Sequence, residues 1–194
     1  MFDKAILGWL SVLIVVVVTL LYLRLVWRGA IKPHLFTWVI WALSTGIAAA
    51  GRMSEAAGAG AWGQWAGAAG CVCVALLTWR QGEKDITRGD WWSFLLALAA
   101  IPLWLLTDNA LLAVLMVTAI DVVGYYPTFR KSWRRPYEEA VFNYIAANVI
   151  HVLSVLATEH YSVTNLLFQV TLFVVNSLLV AMLLWRRRLV VLTH

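Results

Sequence analysis

Asp121 is the one acidic side chain that falls well inside an apolar run, about two helical turns before Pro127. Charge at that depth is costly. A carboxyl there could carry a proton or bind a cationic solute. Its plainer role is a neutral acid hydrogen-bonded to Thr118 or to a hydroxyl on another helix. A second polar group follows, in which Tyr144, Asn148 and His151 are spaced i, i+4, i+7 and share one helical face. At an offset of 103 positions Trp41 and Thr45 occupy the places of Tyr144 and Asn148. An aromatic ring with a hydrogen-bonding group one turn later, presented twice, suits a two-sided small-molecule site. The competing reading is packing aromatics with an interhelical amide bond at Asn148. His151 lies nearer the outer end, where a satisfied packing histidine competes with a role in proton coupling.

Other chemistry is poorly served. No phosphate-binding glycine loop, metal-ligand cluster or nucleophile–base pair is present, and Ser154 at i+3 from His151 is a spacing that chance supplies often. An enzyme is the least favoured class, and no cofactor is called for. Cys71 and Cys73, both within the third apolar run, point in different directions on a helix. They read as packing residues rather than a disulfide or a metal box.

These side chains need elements that can hold polar groups inside an apolar setting. With 62% hydrophobic and 13% charged residues, a chain of this size is too apolar for a soluble domain. Spans are expected at Ala5–Leu23, Leu35–Gly51, Ala61–Trp79, Trp91–Thr107, Asn109–Phe129, Ala140–Ala157 and Val163–Trp185. Each suits the roughly 17–25 residues that cross a bilayer. The fold class is therefore an all-α polytopic membrane protein. Its first apolar run lacks the basic start and small-residue cleavage site of a secretory signal, and reads as a retained helix.

Charge sets the orientation. Of the fifteen Lys and Arg residues, thirteen fall on one side of the seven spans, leaving only Lys4 and Arg52 on the other. Cationic loops stay cytoplasmic and meet anionic lipid there. The N-terminus is thus expected outside and the C-terminus inside, and the basic runs require no nucleic acid. Trp27, Trp79, Trp91, Trp92, Trp133 and Trp185 sit near span ends, as in aromatic belts. A retinal protein is excluded, because the last span carries no lysine for a Schiff base. No Lys or Arg falls mid-span in this reading. His151 is then the only cationic group at membrane depth, and Asp121 is expected to rest neutral until water or a cationic solute reaches it.

The chain also reads twice. At the offset of 103, Tyr22 matches Tyr125, Arg28 matches Lys131, Lys32 matches Arg135, Pro33 matches Pro136 and Trp41 matches Tyr144. The repeat divides the chain into three spans (1–80), one linker helix (91–107) and three more spans (109–188), as in carriers built from internal repeats. Between the parts, 81–90 mixes charges as a solvated connector, Pro102 is expected to kink the fourth span, and Asp108–Asn109 make a tight turn. Gly63, Gly67 and Gly70, with Ala59 and Ala66, offer a small-residue face for close helix contact.

The fifth-to-sixth connection reads Tyr125-Tyr126-Pro127-Thr128-Phe129-Arg130-Lys131-Ser132-Trp133-Arg134-Arg135-Pro136-Tyr137-Glu138-Glu139. Pro-Thr-Phe at the cytoplasmic end of a helix, then basic residues, then a Glu pair, resembles the SWEET and PQ-loop superfamily. The resemblance implies two three-helix repeats joined by an inversion helix, N-terminus out and C-terminus in. It also implies hinge prolines, of which Pro127 is present; Arg24 stands at its first-repeat counterpart, and the second and sixth spans contain no proline. Asn176 resembles the asparagine that SWEET-like carriers place on the third helix of a repeat, although its offset partner is Cys73. Vitamin-precursor carriers and lumenal-signal receptors share this layout.

The resulting expectation is a secondary carrier or facilitator of a small polar solute, of the sugar, amino-acid or vitamin-precursor class, working by rocking of two bundles. Trp41, Thr45, Tyr144, Asn148 and Asn176 would bind the solute, Asp121 and His151 would couple protons, and Pro127 would act as hinge. The alternative is a membrane receptor or assembly factor that binds a ligand or partner helix without transport. The expected partners are the solute and the lipid bilayer, with a homo-oligomer left open, and the expected location is a bacterial cytoplasmic (inner) membrane.

Overall fold

The computed structural model describes residues 3–29, 35–81, 88–107, 109–134, 136–138 and 141–189, apart from the side chains at 36, 37, 81, 90, 93, 97, 104, 124, 126–128, 130, 131, 134 and 138. The described chain is all-helical. It forms α1 (Lys4–Trp27), α2 (Leu35–Ser54), α3 (Trp62–Gln81), α4 (Arg88–Thr107), α5 (Ala110–Arg134), α6 (Val141–Ala157) and α7 (Val163–Leu189). Short 3-10 turns at Gly58–Ala61 and Pro136–Glu138 precede α3 and α6.

Three of these helices, α1, α3 with its leading turn, and α7, are long and apolar enough to cross a membrane. Their sequences, rich in Val, Ile and Gly, would make mediocre helices in water. In hydrocarbon the helix is enforced, because every backbone N–H and C=O must find its partner within the segment. The distribution of side chains fits that setting. Ile6, Trp9, Leu13, Leu20, Leu76, Leu105, Leu106, Val123 and Leu178 face outward, whereas Ser11, Ser44, Arg52, Gln64, Thr118, Asp121, Ser154, Asn165, Gln169 and Asn176 are buried. Large apolar side chains on the outer surface, with many polar ones packed inside beside the apolar core, together with helices long and apolar enough to cross a membrane, indicate an integral membrane protein.

Local signals set the ends. Asp3 caps α1 by accepting from Ala5 N at 2.9 Å, and Asn109 and Ser162 accept from the third residue on in α5 and α7. Helix α1 stops at Gly29, which adopts φ +69° and donates to Val26 O at 2.9 Å. Helix α5 extends beyond the expected end at Phe129 to Arg134, so Arg130 to Arg134 are helical rather than loop. At this end Arg186 Nε and Arg187 Nε donate to the carbonyls of Trp133 and Pro136, each at 3.0 Å, tying α7 to the end of α5. Helix α4 continues through Pro102.

Helix α3 packs between α1 and α2, and α7 packs between α5 and α6. Across the two groups α1 meets α6 and α2 meets α5, while α4 lies against α5 and α2. Among the described residues α1 makes no backbone contact with α2, and α5 none with α6. Small residues allow the close approaches. A Cβ on Gly63 would sit 2.3 Å from Ser11 Oγ and one on Gly70 would sit 2.8 Å from Thr19 Oγ1, so this face of α3 receives α1. At the end marked by Asp3 the connections bind one another. Glu159 N donates to Ala57 O at 3.0 Å and Asn165 Nδ2 to Glu55 O at 2.7 Å.

Candidate functional site

A cavity of about 660 Å³ lies between α1, α2, α3, α5, α6 and α7. One part of its wall is aromatic. Tyr22 and Trp38 have ring centroids 4.8 Å apart, Trp38 and Trp41 meet edge to face at 5.3 Å, and Tyr125 and Tyr144 come from the other three-helix group. Nearer the Asp3 end the wall turns polar with Gln64, His151, Ser154 and Gln169. No Asp or Glu is among the described lining residues.

The polar end is one connected network. His151 Nδ1 pairs with Gln169 Oε1, and Gln169 Nε2 donates to Gln64 Oε1 at 2.9 Å. That same oxygen accepts from Arg52 Nη1 at 2.8 Å. Arg52 reaches on to Ser154 Oγ at 2.9 Å, Thr158 Oγ1 at 3.0 Å and the Ser154 carbonyl at 3.5 Å. Ser154 Oγ donates in turn to Gly60 O, and Thr158 Oγ1 to Ser154 O at 2.8 Å. Gly60 is required here, because a Cβ would lie 2.4 Å from Thr158 Oγ1. The network thus joins α2, α3, α6 and α7 just behind the cavity wall.

Arg52 corrects the expectation drawn from the charge count. It does not lie in an outer loop but is fully buried, with 0% exposure, and His151 is therefore not the only cationic group at depth. Helix α2 continues past the expected end at Gly51 to Ser54, and Gly51 packs tightly on Val114, which turns the next side chain into the bundle. All its described oxygen partners are neutral. Arg52 Nε and Gln64 Nε2 are buried without a hydrogen-bond partner. The orientation of the Gln64 amide follows from the network, since an oxygen must face the two donors Arg52 and Gln169.

Of the residues expected to form a site, Trp41, Thr45, Tyr144, Asn176 and His151 line the cavity. Asn176 accepts from Tyr125 OH at 2.7 Å. Asn148 is turned away; its Nδ2 donates to Ser177 Oγ at 3.0 Å and holds α6 to α7. Asp121 is buried behind the wall, where Ser44 Oγ of α2 donates to its Oδ1 at 2.8 Å. The side chain of Pro127 lies outside the described residues; position 127 is within α5. Cys71 lines the cavity and Cys73 faces outward, both as free thiols.

Sequence reading passed over Arg52, Gln64 and Gln169. A signal existed for the glutamines, because they are the same residue type near the start of α3 and α7, the two helices that each pack between two others. They are separated by 105 positions rather than 103. No family model, curated protein or solved structure matches this chain.

Proposed function

We propose that all seven helices span the membrane as two three-helix repeats joined by α4, and that the protein carries a small solute through the cavity between them. The helix adjacencies support this. Exchanging α1 with α5, α2 with α6 and α3 with α7 turns the α1–α6 contact into the α5–α2 contact, and the α2–α3 contact into α6–α7. The observation that carries the reading is the cavity wall itself, to which Tyr22 and Tyr125, and Trp41 and Tyr144, contribute as pairs 103 positions apart.

The later part of the repeat keeps this correspondence with a changed offset. Three residues separate α2 from the turn that opens α3, and five separate α6 from α7. The two extra residues move the offset to 105, which pairs Gln64 with Gln169 and Cys71 with Asn176, all of them on the cavity wall. Cys71, rather than Cys73, is then the counterpart of Asn176. The layout is the one implied by the resemblance to the SWEET and PQ-loop superfamily. In this reading the Arg52 network and the joined connections close the Asp3 end, and rocking of the repeats breaks them to open it.

Solute flux into vesicles reconstituted with the purified chain tests the proposal, using sugars, amino acids and vitamin precursors. Saturable flux of one class that falls in Trp41→Ala supports a carrier. Saturable binding without flux of any solute assigns the chain to the receptor or assembly-factor class instead.

A further inference from the structure

Resting on the solute-binding reading of this cavity, we propose that its occupant is a small organic anion. A single carboxylate would be held at the Gln64 end and an apolar or aromatic body laid along Tyr22, Trp41 and Tyr144.

The argument begins with charge. Arg52 is fully buried and its described partners, Gln64 Oε1, Ser154 Oγ, Ser154 O and Thr158 Oγ1, are all neutral. A buried guanidinium without a carboxylate is an expensive arrangement, because attraction to a counter-charge is the main offset to its lost hydration. Two acids lie close in the chain or the fold, Glu55 three residues on and Glu159 next to Thr158, but neither is fully buried. Glu159 Oε1 accepts from Ala59 N at 3.3 Å rather than from Arg52. The buried acid, Asp121, is engaged by Ser44. Ser44 precedes Arg52 by eight residues on α2, roughly 12 Å along the helix axis. Asp121 is therefore not the partner.

Hydrogen bonding points the same way. Within the Arg52 network the two buried groups without a partner, Arg52 Nε and Gln64 Nε2, are both donors. The acceptor Asn165 Oδ1, also unpaired at this end, belongs to the joined connections and not to the cavity wall. Gln64 is on the cavity wall and is only 5% exposed. Buried donors left unpaired are costly; a carboxylate at the Gln64 end would give the Gln64 amide an acceptor and place a counter-charge near Arg52, which lies behind that wall. Carboxylate suits this role, since its oxygen accepts from the Gln64 amide while its charge is attracted by the guanidinium behind Gln64. The opposite wall of aromatic rings, with its apolar surroundings, suits a hydrocarbon or aromatic body. A cationic solute would meet Arg52 unscreened in a low dielectric and is disfavoured.

Equilibrium binding to the purified full chain tests this with matched probes, benzoate against benzamide and indole-3-acetate against indole-3-acetamide, read by isothermal titration calorimetry. Each carboxylate is expected to bind at least about tenfold more tightly than its amide, the effect of one charge-assisted contact. Arg52→Gln should abolish the preference. Because that variant disturbs a buried network, Gln64→Glu is the decisive one. It places a carboxylate on Arg52 with the same side-chain length, so the fold is retained and the preference for benzoate over benzamide is lost. Equal binding of acid and amide by the parent, or an undiminished preference in Gln64→Glu, overturns the proposal. Repetition in phosphatidylcholine nanodiscs with and without phosphatidylglycerol separates a solute from a lipid head group. Competition by phosphatidylglycerol against benzoate would make the lipid the anion and overturn the solute assignment. Carboxylate-selective binding without flux would sink the carrier reading and leave this inference standing, whereas flux of a neutral solute with no preference for acids does the reverse.

Discussion

Arg52 on α2 donates to Ser154 on α6 at 2.9 Å, and so bridges two helices that make no backbone contact with each other among the described residues. The bond belongs to a set in which every oxygen accepting from Arg52 also serves a second group or helix. Removing the guanidinium would leave Gln64 Oε1, Ser154 Oγ and Thr158 Oγ1 each with one fewer donor. Arg52→Ala is expected to lower stability by about 1–3 kcal/mol, because it removes the bonds that join three oxygens while also relieving the cost of a buried charge. Thermal unfolding of the purified variant measures this. Arg52→Lys should fall between the two, because a point ammonium cannot reproduce the guanidinium fork. An Arg52→Ala protein as stable as the parent would remove the network from any structural role.

Trp41 is 37% exposed and lies on the cavity wall. Its truncation should therefore cost well below the roughly 3–5 kcal/mol of a fully buried aromatic. Binding should suffer more. Trp41→Ala is expected to weaken solute affinity about tenfold, equivalent to about 1.4 kcal/mol. Unfolding and binding measured on the same preparation separate the effects, and a large stability loss with unchanged affinity would make Trp41 a packing residue.

At Asp121 the carboxyl oxygen that accepts from Ser44 joins α5 to α2. Asp121→Asn keeps an accepting oxygen and should fold like the parent. Asp121→Ala leaves Ser44 without that partner and should destabilise by about 1–3 kcal/mol. The coupling role carries a separate expectation: if Asp121 exchanges protons during transport, the pH dependence of flux disappears in Asp121→Asn. A pH profile identical to the parent's would restrict Asp121 to bridging the two helices.

Asn148 is turned towards Ser177 and away from the cavity. Asn148→Ala should leave solute binding unaltered and cost about 0.6 kcal/mol, the average for an interhelical bond within a membrane. A marked affinity loss in a protein of parental stability would return Asn148 to the site.

Orientation can be tested independently of any solute. In the proposed seven-span arrangement, with Arg52 inside the bundle, Lys4 is the one Lys or Arg left on the sparsely charged side, against thirteen on the other. Reporter fusions to the two ends should report opposite sides, with the Arg186–Arg188 end cytoplasmic. Both ends on the same side would refute the seven-span arrangement.

Helix positions and the polar groups among them were legible because both are local properties. An apolar run long enough to cross a bilayer must close its own hydrogen bonds, and the tyrosines and tryptophans at matching offsets can be found by reading along the chain. Helix rotation was not legible. Tyr144 and Asn148 share a face by spacing, yet packing of α6 on α7 points Tyr144 at the cavity and Asn148 at Ser177. Arg52 was misplaced for a related reason. A cation one residue past an apolar run counts as a loop residue when only local hydropathy is weighed. Its actual partners lie elsewhere, with Gln64 twelve positions away and Ser154 and Thr158 more than a hundred away. A buried guanidinium needs oxygens converging from several directions at once, and no single helix can supply them. That condition is met only when α2, α3 and α6 are assembled, so the tertiary structure alone decided the polar end of the cavity.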